Sequence, residues 1–152
     1  MGVRLVIEGR HKGVSKSGLM RRARAMMREL ELGDYEVSIL LTGDNQIKIL
    51  NGIYRKNNRP TDVLAFAQRE GKFSDLAGRL LGDVVISIPT ARRQAEERGT
   101  GLTSELTALL AHGLLHLLGW DHDTPTKDRK MRRETRRLCG AAAVAAGRRG
   151  AG

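Results

Sequence analysis

The chain has 152 residues, enough for one compact domain with a real core and too few for two of ordinary size. Its 27 Lys and Arg against 17 Asp and Glu leave a net charge of +10, which favours a polyanionic partner such as nucleic acid and argues against an acidic protein. With 40% apolar and 29% charged residues, the composition excludes a disordered basic chain and predicts a folded globular domain.

Val3, Leu5 and Ile7 alternate with Arg4 and Glu8, a period of two that predicts a half-buried strand. Ser15 or Ser17 then caps a helix running to about Leu32, with Leu19, Ala23, Met26, Met27 and Leu30 as its apolar stripe and Gly33 as its stop. Tyr35, Val37, Ile39 and Leu41 repeat the strand pattern. A second helix follows Asp44 as N-cap, carries Ile47, Leu50, Ile53 and Tyr54 at helical spacing, and ends before Pro60. Residues 62–67 and 83–88 are short, β-branched and flanked by turn residues, the signature of buried strands, with 71–78 as a loop between them. Pro89 opens a short helix that Gly99 closes, Thr103 caps the next through Leu118, and Thr124 with Pro125 starts the last. The sum is a single α+β domain with a roughly four-stranded mixed sheet and about five helices. The domain is placed at 1–139; the Gly/Ala/Arg-rich tail, 140–152, shows no apolar stripe and is expected to be disordered.

Cys139 is the single cysteine, which rules out an intrachain disulfide and fits a reducing, cytoplasmic setting. Residues 1–10 carry Arg4, Glu8 and Arg10 and so lack the apolar core of a signal peptide, and Val6 stands where a myristoylation signal wants Ser or Thr. The longest apolar stretch, 106–120, is shorter than the ~20 residues a bilayer span needs and holds two histidines, so no membrane segment is expected. Five aromatic residues in the whole chain argue against an RNA-binding sheet that stacks bases on rings.

Three of the four histidines fall within eleven residues. His112 and His116, four apart on a helix, rise about 6 Å along one face and can reach a single metal ion. Gly119 lets the chain turn so that His122 returns as the third ligand. A buried histidine is commonly just packed, and a His-x-x-x-His pair also arises by chance. The third histidine and the glycine, on a helix otherwise lined with leucine, favour a shared metal that satisfies all the ring nitrogens together. The spacing is that of the metzincin zinc proteases with one residue missing: where those enzymes carry a glutamate general base, this chain has Gly113. Three neutral imidazoles on Zn²⁺ leave a fourth position for water, whose pKa the metal lowers to about 7, so hydrolysis does not require that carboxylate. Phosphodiester cleavage suits the basic chain better than peptide cleavage, because a metal and an arginine can share the charge that develops on phosphorus. A closed structural zinc site would want a fourth ligand, and Cys139 stands without a partner.

The run 112–122, together with Leu50-Asn51-Gly52-Ile53-Tyr54-Arg55, Thr61-Asp62-Val63-Leu64-Ala65-Phe66 and Gly82-Asp83-Val84-Val85-Ile86-Ser87, resembles the bacterial YbeY family. Its members are zinc-dependent endoribonucleases of ribosomal RNA maturation. The resemblance spans the chain up to about Cys139 and implies one Zn²⁺ per chain on His112, His116 and His122. By the Tyr54-Arg55 pair it places the family's activity-bearing arginine at Arg55; taken alone, Arg55 is an ordinary arginine favouring a helix C-terminus. It also offers Met131 as the methionine beneath the metal. Two departures stand in the upstream motif, Ala65 and Ala67, where the family often has Ser and Pro; they touch packing or loop shape more than chemistry.

Other polar residues have simpler expectations. Asp62 and Asp83 hold turns at strand starts, Glu105 is a first-turn charge on the His112 helix, and Asp121 is a candidate to orient a ligating histidine. Residues 127–137 hold seven basic side chains against Asp128 and Glu134, and Arg21, Arg22, Arg24 and Arg28 form a second basic segment, both suited to phosphates without reading sequence. The resemblance thus implies a single-strand-specific zinc endoribonuclease acting in 16S ribosomal RNA maturation and ribosome quality control, with RNA and the small ribosomal subunit as partners. The rivals are a non-catalytic, zinc-stabilised ribosome-assembly factor and a zinc peptidase, against which Gly113 speaks.

Overall fold

Side-chain alternation along the strands decides which face of the sheet is core. The computed structural model describes residues 2–68 and 79–151, with side chains through 147; the loop expected at 71–78 lies outside the described residues. Strands β1 (Val3–Ile7), β2 (Glu36–Thr42), β3 (Val63–Ala67) and β4 (Leu80–Ser87) form one sheet in the order β1-β2-β4-β3. The first three in that order run parallel, and β3 pairs antiparallel with β4 as an edge strand. Five helices accompany them among the described residues: α1 (Lys16–Glu29), α2 (Asp44–Arg55), α3 (Ile88–Arg98), α4 (Leu102–Leu117) and α5 (Pro125–Ala151). This is the mixed four-stranded α+β arrangement that the periodicities predict.

Val3, Leu5, Val37, Ile39, Val84 and Ile86 point to one face, where α1, α4 and α5 close the main core. The parallel β1–α1–β2 unit follows from the long crossover that parallel neighbours need. On the opposite face, among the described residues, α2 covers the sheet through Ile47 and Leu50 over Leu64 and Val85. None of the described helices is long and apolar enough to cross a membrane.

Three local expectations are corrected. Asp44 does not cap α2: Gly43 holds the N-cap position without a side-chain bond. The Asp44 carboxylate instead accepts hydrogen bonds from Ser87 Oγ (2.5 Å), Thr90 Oγ1 (2.7 Å) and Arg93 Nη2 (2.9 Å), tying the start of α2 to the start of α3. Thr103 likewise lies inside the first turn of α4, whose N-cap is Gly101. The tail does not fray after Cys139, because α5 continues to Ala151. Leu138 and Ala142, four apart, are fully buried, α1 runs alongside, and the alanine-rich stretch that follows is a strong helix former. At the other end Thr124 Oγ1 accepts the Lys127 N–H at 3.2 Å, the expected cap.

Burial alone would raise the Asp44 pKa, but the Ser87, Thr90 and Arg93 hydrogen bonds outweigh it and hold the carboxyl below its ordinary range. A depressed folded pKa contributes stability that is full above the unfolded value, near 4, and is lost as pH falls through the folded value. Asp44→Ala should therefore cost about 2 kcal/mol in urea unfolding at pH 7. The gap to the unmodified chain should persist at pH 5 and close below about pH 4.

Candidate metal centre

Helix α4 is apolar almost all round and lies against the centre of the sheet. The approach is closest at Gly113, where an added Cβ would sit 2.6 Å from Val84 Cγ1 on β4. With that face pressed to the sheet, His112 and His116 are carried one turn apart along the helix side that borders β3 and the start of α5. The helix ends in a left-handed glycine: Gly119 has φ 94°, its N–H reaches His116 O at 3.0 Å, and the Trp120 N–H reaches Leu115 O at 3.0 Å. Such a paired C-terminal closure needs a residue without a Cβ penalty at the turn. It sends the chain back so that His122 faces the two helical rings.

The three imidazoles converge. Their ligand atoms all lie within 4.8 Å of one another, His112 Nε2 and His116 Nε2 are 2.9 Å apart, and His122 stands with its ring centroid 5.6 Å and 5.7 Å from theirs. No other His, Cys, Asp or Glu joins the cluster among the described residues. Burial, and then the neighbouring His116, push the His112 pKa below its usual value; burial, and then His122, do the same for His116. Both rings are thus held neutral near pH 7, the state that offers a lone pair to a cation. The Trp120 backbone partly opposes this at His116. The donor set therefore fits one metal ion with a coordination position left open.

Arg55, the last residue of α2, stands beside His116 across a hollow lined by β3. Its Nη2 donates to Ala65 O at 2.6 Å and its guanidinium lies 4.8 Å from the Phe66 ring centroid. Met131 is buried and lines a second cavity with His112 and His122. Asp121 does not orient a histidine; its carboxylate accepts the Asp123 N–H at 3.4 Å and faces Lys127 at 3.7 Å. Glu105 is a first-turn charge of α4 as expected, but it is buried and bonded to Arg98. Asp62, expected only to hold a turn, also lines the His112 cavity and accepts from Gln94 Nε2 at 3.2 Å. Its place on the cavity wall had no local signal, because the partner that directs it comes from α3. Asp83 sits on the other face of the sheet, its carboxyl raised by burial.

A His-x-x-x-His helix with a third histidine beyond a glycine turn is the constellation of a metal-dependent hydrolase. Comparison with known proteins narrows the class. A family model described as Endoribonuclease YbeY matches residues 9–142. Endoribonuclease YbeY of Heliobacterium modesticaldum is 42% identical over 147 residues, covering 84% of this chain and 89% of that protein. Endoribonuclease YbeY of Sulfurihydrogenibium sp. is 44% identical over 120 residues, 79% of this chain and 78% of its own. Among solved structures, the solution structure of a Thermotoga maritima protein superimposes with a TM-score of 0.63 at 25% identity, over 92% of this chain and 88% of that one. The chain belongs to the YbeY family.

The Gly113 contact is directly testable. Gly113→Ala gains up to about 1 kcal/mol of helix propensity but forces a methyl into a stiff β-branched neighbour, an overpacking cost of about 1–3 kcal/mol. The expected outcome is a net loss of about 1 kcal/mol in chemical unfolding. Adding Val84→Ala should remove the extra penalty of Gly113→Ala, so that the two substitutions are non-additive.

Proposed function

We propose that this chain is an endoribonuclease that cleaves single-stranded RNA, with ribosomal RNA precursors as its substrates, using one zinc ion on His112, His116 and His122 and Arg55 as a catalytic residue. The observation that supports this best is the convergence of three imidazoles with no fourth ligand among the described residues, beside an arginine fixed on an edge strand. A bound zinc ion supplies Lewis acidity toward water and a phosphoryl oxygen, work that needs no carboxylate at position 113.

The chain's own residues do the rest. Arg55 is held by Ala65 O and the Phe66 ring, so its charge is in place before substrate arrives and can offset the negative charge that grows on the phosphoryl oxygens. The histidine cluster lies between two hollows, one lined by Arg55, Phe66 and His116 and the other by His112, His122 and Met131. A single strand crossing the histidine cluster would have a hollow on either side. The cations of α5 line the second hollow, and those of α1 lie on the adjoining helix, joined to α5 by the Arg137–Glu29 pair at 2.6 Å. They would hold RNA phosphates electrostatically, so binding should weaken as salt rises. Ribosomal substrates place the reaction in the cytoplasm, in keeping with the lone Cys139.

His116→Ala should abolish both metal retention, read by elemental analysis, and cleavage of a single-stranded RNA. Arg55→Ala should keep stoichiometric metal and slow cutting about a hundredfold. Full cleavage by a metal-free His116→Ala preparation would remove the metal from the reaction. Metal-loaded protein that binds RNA but never cuts it would instead make this chain an assembly factor.

A further inference from the structure

The hollow on the His112 side is a cavity of about 550 Å³ between α4 and α5, within the size range of sites that enclose a small organic ligand. Its two ends are chemically different. One end is His112 and His122. At the other is Glu105, two turns up α4 from His112 and so about 10 Å along the helix axis.

Glu105 retains 3% of its exposure, and a carboxylate that deep is costly unless it is bonded. Arg98 Nη1 donates to Oε2 at 2.9 Å. Among the described residues no protein group takes Oε1. Arg98 itself is largely exposed, so the attraction is partly screened by solvent and contributes less than a fully buried pair would. The reaction proposed above does not use the pair. The cavity thus presents the buried Glu105 acceptor, between the apolar walls of Leu109 and Met131, with the Arg98 donor reaching it from the exposed rim. Arg136 also lines the cavity and takes part in no ion pair among the described residues.

We infer that this cavity is a base-reading subsite, in which Glu105 and Arg98 recognise a guanine adjacent to the scissile phosphate. Guanine is the base whose Watson–Crick edge sets two N–H donors beside a carbonyl acceptor. N1–H and the 2-amino group donate to Glu105, and O6 accepts from Arg98. Recognition of a splayed base on this edge, with its ring against apolar side chains, is how proteins read single-stranded RNA. Leu109 and Met131 flank the ring, and Arg136 holds the phosphate that follows. The inference rests on the endoribonuclease reading for its substrate, but the binding chemistry can be tested apart from it.

The experiment digests a single-stranded RNA library of randomised sequence with the metal-loaded full-length chain and sequences the new ends. In parallel, calorimetry measures binding of GMP, AMP, CMP and UMP. The expected result is guanine enrichment of about tenfold at one position next to the cut, with GMP the tightest of the four nucleotides. Glu105→Gln keeps the side-chain volume and an acceptor for Arg98 but turns a donor toward the base, so it should flatten both preferences. Arg136→Ala, an exposed position, should raise KM for every sequence and leave the preference intact. Cleavage without guanine enrichment, or enrichment that survives Glu105→Gln in a folded protein, overturns the inference and leaves the nuclease reading standing. If Glu105→Gln does not fold, the four-nucleotide comparison on the unmodified chain decides alone, and equal affinities overturn the subsite. Glu105-dependent GMP binding by a chain that cuts no RNA keeps the subsite and overturns the nuclease reading.

Discussion

The closeness of α4 to the sheet is the constraint on which the site depends. Two glycines set it. Gly113 brings the helix onto Val84, and Gly82 on β4, at φ 151°, leaves space that a side chain would contest with Phe66 O and Leu117. With the helix seated this deeply, the two helical histidines emerge beside β3 rather than above it, within reach of Arg55. The same contact explains the missing protease glutamate. A side chain at 113 would run into the middle of the sheet, so the position after the first histidine is spent on packing, and any proton acceptor must come from elsewhere. The chemistry is thereby steered away from the peptidase pattern that the histidine spacing alone would suggest.

What the sequence disclosed and what it hid divide along a physical line. The histidine triad was legible because its geometry is local: a four-residue step on a helix and a glycine turn fix three rings within eleven residues. The strands and most helix ends were legible for the same reason, through alternation and capping. Asp44 was misplaced because a cap and a tertiary clamp look alike in sequence. Its three partners lie more than forty residues away, and they won over the local role. The continuation of α5 was hidden because its apolar stripe is thin. Ala142 becomes a core residue only beside α1, a partner set by the fold. Glu105 carried a partial signal, a charge seven residues from His112 on the same face, but its burial depends on Arg98 from the preceding helix.

Electrostatics links these features. In a chain of net charge +10, a cation site built from imidazoles must keep them unprotonated, since three charged rings would repel both the metal and one another. Burial and mutual proximity already favour the neutral form of His112 and His116, and Arg55 pushes His116 further the same way, while Asp62 opposes it at His112. On α5, Arg132 is matched by Asp128 at 2.9 Å, and Arg137 by Glu134 and Glu29. Those pairs are exposed and contribute little stability each. Among the cations that line the cavity, Arg98 and Arg132 are paired and Arg136 takes part in no ion pair among the described residues.

The edge strand connects fold protection with the proposed reaction. β3 has no neighbour beyond it in the described sheet, and an exposed edge is a template for unwanted pairing. Arg55 covers that edge by bonding Ala65 O, and the Phe66 ring it rests on is braced by Tyr54 with centroids 5.3 Å apart. The contact is made by the Ala65 backbone carbonyl and not by its side chain. A guanidinium held by a carbonyl and a ring face has less rotamer freedom to lose on meeting an anion than a free surface arginine would. Shielding the edge and fixing the Arg55 guanidinium are thus one set of contacts, and a change that loosens β3 should disturb both together.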